Sequence, residues 1–197
     1  MVTTPSGPDG RPDLLVVGGS GLLGRSIVEL VGADGATTLH ATGRRPPSDP
    51  VGTWHRLDLT DGGGAAAELV ARLRPRAVVN AAAVTSGPDL DAITARAPGA
   101  MAAASAAVGA QFVHLSSDVV FDGENEDAYV EDDPPDPVHA YGEAKAAAEL
   151  AVAAADPEAV IVRPSLLWRP DRGPQLRLVQ DPGVVFFTDE VRCPLRA

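Results

Sequence analysis

LLVVGGSGLLGRSIVELVG, residues 14 to 32, decides the fold. The apolar run LLVVGG (14 to 19) ends in glycine, and GLLGRSIVELVG (21 to 32) then spaces Leu22, Leu23, Ile27, Leu30 and Val31 as one helical face. Strand, glycine turn and helix therefore follow one another without a spacer. Gly18, Gly21 and Gly24 form a G-x-x-G-x-x-G pattern across that junction. The first glycine permits a tight turn, the second lets backbone approach a pyrophosphate, and the third allows close packing of helix on strand. An ordinary strand-to-helix turn also explains the pattern taken alone. Its place at the first strand–helix junction favours a dinucleotide, with Gly18, Ser20 and Gly21 in the turn beside it.

The alternation continues outward from this stretch. TTLHATG (37 to 43), TWHRLDL (53 to 59), AVVNAAAV (77 to 84), QFVHLSS (111 to 117) and AVIVRPSLL (159 to 167) read as further strands. Residues 64 to 73, 90 to 108 and 140 to 155 read as helices between them. Strands alternating with helices imply right-handed βαβ crossovers, hence an α/β fold with a doubly wound parallel sheet. Ligands bind such sheets at the carboxyl ends of the strands, so Gly18, Gly43, Asp58, Ala81 and Ser117 should converge on one crevice.

The end of the second strand indicates which dinucleotide fits. ATGRRPP carries Gly43, Arg44 and Arg45 and lacks the carboxylate that holds an NAD ribose. Guanidinium groups suit a 2′-phosphate, which favours NADP(H) over NAD(H), although a solvated basic turn before Pro46 and Pro47 is the plainer alternative. Asp58, followed by Leu59, would accept a hydrogen bond from an adenine amino group; equally, this acidic stretch would cap the following turn through Asp61. Ala81, Ala82, Ala83 and Val84 would let backbone lie against a cofactor, and close packing accounts for them as well.

A second constellation lies further on. Ser116 and Ser117 close the fifth strand, and VHAYGEAKAAAEL (138 to 150) places Tyr141 and Lys145 one helical turn apart. Lys145 is the only lysine in a chain whose other basic residues are arginines. A tyrosine with an unperturbed pKa near 10 is a poor acid–base group at neutral pH, and a nearby ammonium lowers that value. Lys145 is thus expected to tune Tyr141 and to reach a ribose, while Ser117 holds a substrate carbonyl. The competing reading is a surface helix with a half-buried tyrosine.

Composition sets the outer limits. The formal charge of −11 argues against nucleic acid, which needs a basic stripe, but not against a small anionic cofactor at a local arginine site. Cys193 is the only cysteine, so neither an intrachain disulfide nor a cysteine cluster for metal is available, and a reducing cytoplasm fits. No apolar run approaches a membrane span. The acidic stretch from Asp122 to Asp136 reads equally as a lid or a solvated insertion.

GGSGLLG, NAAA, LSSDVVFDG, AYVEDDPPDPVHAYGEAK and VRPSLLW, in this order, resemble the extended short-chain dehydrogenase/reductases, within them the dTDP-4-dehydrorhamnose reductase-like, sugar-nucleotide-binding branch. The resemblance runs from Leu14 to about Pro194. It implies a Rossmann fold, NADPH or NADH, and reduction of a 4-keto group on a nucleotide-linked deoxysugar. It also implies Ser117 in the family's serine or threonine place, Tyr141 as acid and Lys145 as ribose-binding lysine. Val84 and Val119 stand where the branch usually has tyrosine, and Thr94 or a neighbour where many relatives have asparagine.

Residues 1 to 12, rich in Pro and Gly, read as a flexible tail; by the same resemblance Gly21, Leu22 and Leu23 face the pyrophosphate, 13 to 170 are a cofactor-binding domain, and 171 to 197 the start of a substrate lobe that relatives continue. Val184 to Phe187 would then add a strand or leave Phe186 and Phe187 to invite a homodimer. Two other readings stand beside the reductase: a non-catalytic NADP-binding subunit, and an epimerase or dehydratase with retained NAD, which the missing acid after the second strand disfavours.

Overall fold

A computed structural model describes residues 10–33, 35–125, 127–171 and 195–197. The chain runs β1 (Leu14–Val17), α1 (Leu22–Gly32), β2 (Leu39–Gly43), β3 (Thr53–Arg56), α2 (Gly64–Leu73), β4 (Ala77–Asn80), α3 (Ala97–Val108), β5 (Gln111–Leu115), α4 (Ala140–Ala155) and β6 (Val160–Val162). The six strands form one sheet in the order β3-β2-β1-β4-β5-β6, every pair parallel. This is the doubly wound Rossmann arrangement expected from the alternation.

Direction explains the layers. From β1 the chain winds outward to β2 and β3, then returns across the sheet to β4 and winds the other way. Right-handed crossovers in opposite directions place their helices on opposite faces. Val28 of α1 packs with Val16, Leu39 and Ala41 on one face. On the other, α2, α3 and α4 cover a larger core in which Leu15, Val70, Val78, Met101, Phe112 and Val152 are fully buried. Small residues bring these helices close: a methyl group at Gly99 of α3 would stand 2.9 Å from the Ala151 Cβ of α4.

Five of the six sheet strands end two to five residues earlier than their expected runs. The surplus residues, such as Gly18, Leu57 to Leu59 and Ala81 to Val84, turn over the carboxyl edge instead of extending the ladder. β6 stops two residues before Pro164, which cannot donate to a ladder. The helix expected from residue 90 opens as a π-helix, Asp91–Arg96, before α3 begins. Pro98 has no N–H for the Thr94 carbonyl, so the α-helical ladder is interrupted there.

Beyond the sheet, β7 (Leu167–Trp168) pairs in parallel with β8 (Leu195–Arg196). Arg169, just after β7, reaches back to α1, where its guanidinium donates to Ser26 Oγ at 2.8 Å and pairs with Glu29 at 2.9 Å. The first nine residues of the expected tail and the Val184 to Phe187 segment lie outside the described residues. Among the described residues no helix is long and apolar enough to cross a membrane.

Candidate functional site

The reversal of winding between β1 and β4 opens the sheet's carboxyl edge, the position where such folds hold ligands. A cleft of about 230 Å³ lies there. Gly18, Ser20 and Gly21 border it from the first turn, Gly43 and Arg44 from β2, Asp58 and Leu59 from β3, and Ala81 to Val84 from β4. Of the expected crevice residues only Ser117 is not in its lining. Thr42, Leu57 and Ile93 also border it, unforeseen from sequence.

Each glycine of the first turn has a geometric reason. Gly18 sits at φ +83°, and a Cβ there would come within 2.7 Å of the Ala82 backbone, so the turns after β1 and β4 touch. At Gly24 a Cβ would stand 2.3 Å from the Gly18 carbonyl oxygen, which is the helix–strand contact expected of the third glycine. Gly21 caps α1 without a side-chain hydrogen bond, and the first turn of that helix holds no acid. Leu22 and Leu23 begin the helix without lining the cleft. The uncapped N–H groups and positive dipole end suit a pyrophosphate. The residues present therefore fit a dinucleotide.

The floor at β4 is fixed by a polar residue that sequence reasoning passed over. Asn80 is fully buried, and its Oδ1 accepts from Ala82 N at 3.1 Å, holding the alanine turn against the cleft. That bond leaves Nδ2 facing His114 Nδ1 at 3.2 Å. Nδ1 must then accept, so His114 carries its proton on Nε2, which has no hydrogen-bond partner among the described residues. Burial, and secondarily the charge of Lys145, lower the His114 pKa to about 3.

The unfolded chain therefore binds a proton at His114 from about pH 6.5 downward that the fold refuses until about pH 3. The fold is expected to lose a few kcal/mol across that window as pH falls. His114→Gln, which keeps an acceptor for Asn80, is expected to flatten the loss. Denaturant melts of both proteins at pH 4, 5 and 7 check this, and parallel pH profiles would refute it.

Thr94 supplies a second hidden brace. Its hydroxyl donates to the Val84 carbonyl at 2.9 Å and accepts from Val84 N at 3.0 Å, satisfying both backbone groups of the cleft's last lining residue. Thr94 thus ties the start of the third helix to the loop after β4.

Arg44 and Arg45 both face a neighbouring hollow of about 590 Å³ that shares Ser20, Arg44, Leu57 and Asp58 with the cleft. Arg56, not singled out from sequence, lines it too. Of the two readings of the acidic turn after β3, the capping by Asp61 is what the fold shows. Asp58 borders the cleft, its pKa lowered first by hydrogen bonds from Thr60 and further by Arg44. Asp61 caps the approach to α2 by accepting from Gly63 N at 2.9 Å and Ala65 N at 2.7 Å.

Ser117, Tyr141 and Lys145 form a separate cluster beyond the end of β5, lining neither cleft nor hollow. Ser117 Oγ donates to Asp118 Oδ1 at 3.2 Å, and Ser165 Oγ to Asp118 Oδ2 at 2.7 Å. His139 caps α4 by accepting from Gly142 N at 3.0 Å, setting Tyr141 in the first turn. Lys145, buried in the same helix, donates from Nζ to the Leu115 carbonyl at 2.7 Å and lies 5.9 Å from the Tyr141 ring centroid.

The expected tuning of Tyr141 is reversed. Its pKa is raised, first by burial and then by the negative charge of Asp118. The Lys145 ammonium is engaged by Leu115, and its own pKa is lowered to about 8, burial outweighing the attraction of Glu149. Tyr141 is accordingly held as the neutral phenol at neutral pH, a proton donor and not a phenolate.

The acidic stretch is anchored at several points. Phe121 and Tyr129 stack with centroids 4.1 Å apart, the Tyr129 hydroxyl donates to Asp122, and Arg163 covers the Phe121 ring at 5.0 Å. Arg163 also donates to the Glu131 and Asp133 carbonyls and pairs with buried Glu149 at 2.8 Å. Among the described residues no group of three or more His, Cys, Asp or Glu side chains gathers for a metal ion.

Comparison with known proteins agrees with this architecture. A dTDP-4-dehydrorhamnose reductase from Streptomyces griseus is 36% identical over 93% of this chain and 60% of its own length. The methionine adenosyltransferase 2 subunit beta of Mus musculus is 32% identical over 91% of this chain and 52% of its own. The crystal structure of a hypothetical dTDP-4-dehydrorhamnose reductase from Sulfolobus tokodaii superposes with a TM-score of 0.71 at 28% identity, covering 85% of this chain and 60% of that one. The chain thus spans about half to three fifths of the length of these relatives. The family model described as the RmlD substrate binding domain matches residues 12–179, and the chain belongs to that family.

Proposed function

We propose that the protein is an NADPH-dependent reductase of a 4-keto group on a nucleotide-linked deoxysugar. The observation that carries the reading is the joint presence of a glycine-lined cleft at the strand switch point and a Ser-Tyr-Lys cluster one strand away. Bound NADPH would supply the hydride. Gly18, Ser20 and Gly21 receive the pyrophosphate at the α1 N-terminus, Arg44 and Arg45 face the 2′-phosphate, and Asp58 and Leu59 border the adenine.

At the other end, Ser117 Oγ turns its proton from Asp118 Oδ1 to the substrate carbonyl oxygen, and Tyr141 gives its phenolic proton to that oxygen. The neutral phenol produced by burial and Asp118 suits donation. Lys145 contributes a positive charge below about pH 8 and keeps two ammonium protons beyond its bond to Leu115 for the ribose. The domain division follows the same reading: a cofactor domain over 13–170, with 171–197 leading toward a substrate lobe.

A second reading is favoured by the similarity to the methionine adenosyltransferase subunit: a non-catalytic NADP-binding regulatory subunit. Titration with NADPH and NADH, followed by turnover on a panel of keto-sugar nucleotides, separates the two. NADPH binding with consumption of one panel member is expected. Tight NADPH binding without turnover of any member would move the assignment to the subunit, and failure to bind either dinucleotide would end both readings.

A further inference from the structure

Arg44, Arg45 and Arg56 all line the hollow beside the cleft, and Asp58 is the single carboxylate in its lining. That carboxylate is occupied by Thr60 N at 3.1 Å. None of Arg44, Arg45 and Arg56 forms an ion pair with a described carboxylate, although the chain carries a formal charge of −11. Asp58, already held by Thr60, feels the charge of Arg44, and three cations facing one carboxylate still leave a positive excess that suits a dianion from outside.

Arg56 differs from the other two in how its backbone is held. It is the last residue of β3 and the register partner of Gly43, and the next residue, Leu57, donates to the Gly43 carbonyl at 3.1 Å. Its Cα is therefore fixed by the β2–β3 ladder, one residue across from Arg44. Arg44 and Arg45 instead occupy the turn that leads to Pro46 and Pro47. A guanidinium on a fixed strand loses less freedom on binding than one on a turn.

We propose that Arg56 is a specificity-determining residue: with Arg44 and Arg45 it completes a three-arginine clamp for a phosphate on the ribose 2′ position, and it supplies most of the discrimination against a 2′-hydroxyl. This rests on the dinucleotide reading above. Loss of one charge-assisted hydrogen-bonding partner of a phosphate weakens binding by roughly tenfold or more.

The test uses the full 197-residue chain, as wild type, Arg56→Gln and Arg56→Lys, with calorimetric titration of NADPH, NADH, adenosine 2′,5′-bisphosphate and AMP. Arg56→Gln is expected to weaken NADPH and the bisphosphate by roughly tenfold or more while changing NADH and AMP by less than about twofold. Arg56→Lys, which keeps the charge without the planar fork, should fall between. Thermal melts confirm that the exposed substitutions leave the fold intact. An Arg56→Gln protein that still prefers NADPH as strongly as wild type, or that weakens for all four ligands alike, overturns the clamp and leaves the dinucleotide reading standing. A wild type that binds neither dinucleotide overturns both.

Discussion

Tyr141→Phe is expected to lower turnover of a keto-sugar nucleotide by roughly 10²- to 10⁴-fold while leaving the dissociation constant for NADPH within about threefold, since general acid catalysis contributes that range. The phenol is held neutral by burial and by Asp118, so the variant removes the donated proton and little else. Single-turnover kinetics with saturating NADPH separate the chemical step from binding. Retention of more than a tenth of the wild-type rate would assign the proton to another group or to water. The result also bears on Asp118. If its charge keeps Tyr141 protonated, Asp118→Asn should let the phenol titrate at lower pH, visible as an earlier rise in tyrosinate absorbance.

Gly24→Ala is expected to destabilise the fold by about 3 kcal/mol or more and to abolish dinucleotide binding. Its new methyl group would stand 2.3 Å from the Gly18 carbonyl oxygen and 2.8 Å from the Gly18 carbonyl carbon, and neither backbone atom can rotate away. For a chain of this length the cost corresponds to a melting temperature lower by roughly 10 °C. Gly109→Ala is the matched control. That glycine sits at φ +68° with no atom within 4 Å of its absent Cβ, so only the conformational penalty of about 1 kcal/mol applies. Melting temperatures for the two variants that agree within about 2 °C would show that the turn relaxes around the added methyl group.

Most of the fold was legible in the sequence because each strand and helix carries its own periodicity and ends at a glycine, a proline or a charged turn. Apart from β6, which Pro164 ends, the strands stop short of their expected runs because residues at the carboxyl edge leave the ladder. Ala81 to Val84 are apolar and small, which reads as continued strand, yet they leave the ladder to line a cavity. The π-helical opening of the third helix depends on Pro98 and on the bond between Thr94 and Val84. A helical window records the first of these only as an ordinary first-turn proline.

The site divides along the same line. Glycine positions and Arg44 with Arg45 are local, so they were readable. Arg56 becomes relevant only through its register with Gly43, and pairing register is not written in either strand alone. The sign of the Tyr141 shift failed because proximity to Lys145 along the helix is visible in sequence, whereas burial and the approach of Asp118 are not. Asn80 and His114 were silent for a similar reason: each looks like an ordinary strand residue until β4 and β5 are paired.

The central pairing of β1 with β4 has a consequence for how the molecule assembles. These neighbours are separated in the chain by α1, β2, β3 and α2, so the cleft between them depends on the longest loop closure in the first half of the protein. Such contacts form only after the intervening segments have been ordered, at an entropic cost. A fragment ending before Ala77 carries the wall from β1, β2 and β3 but not the opposite one, the turn of Ala81 to Val84. A chain whose cleft is formed has therefore already joined β4 to β1.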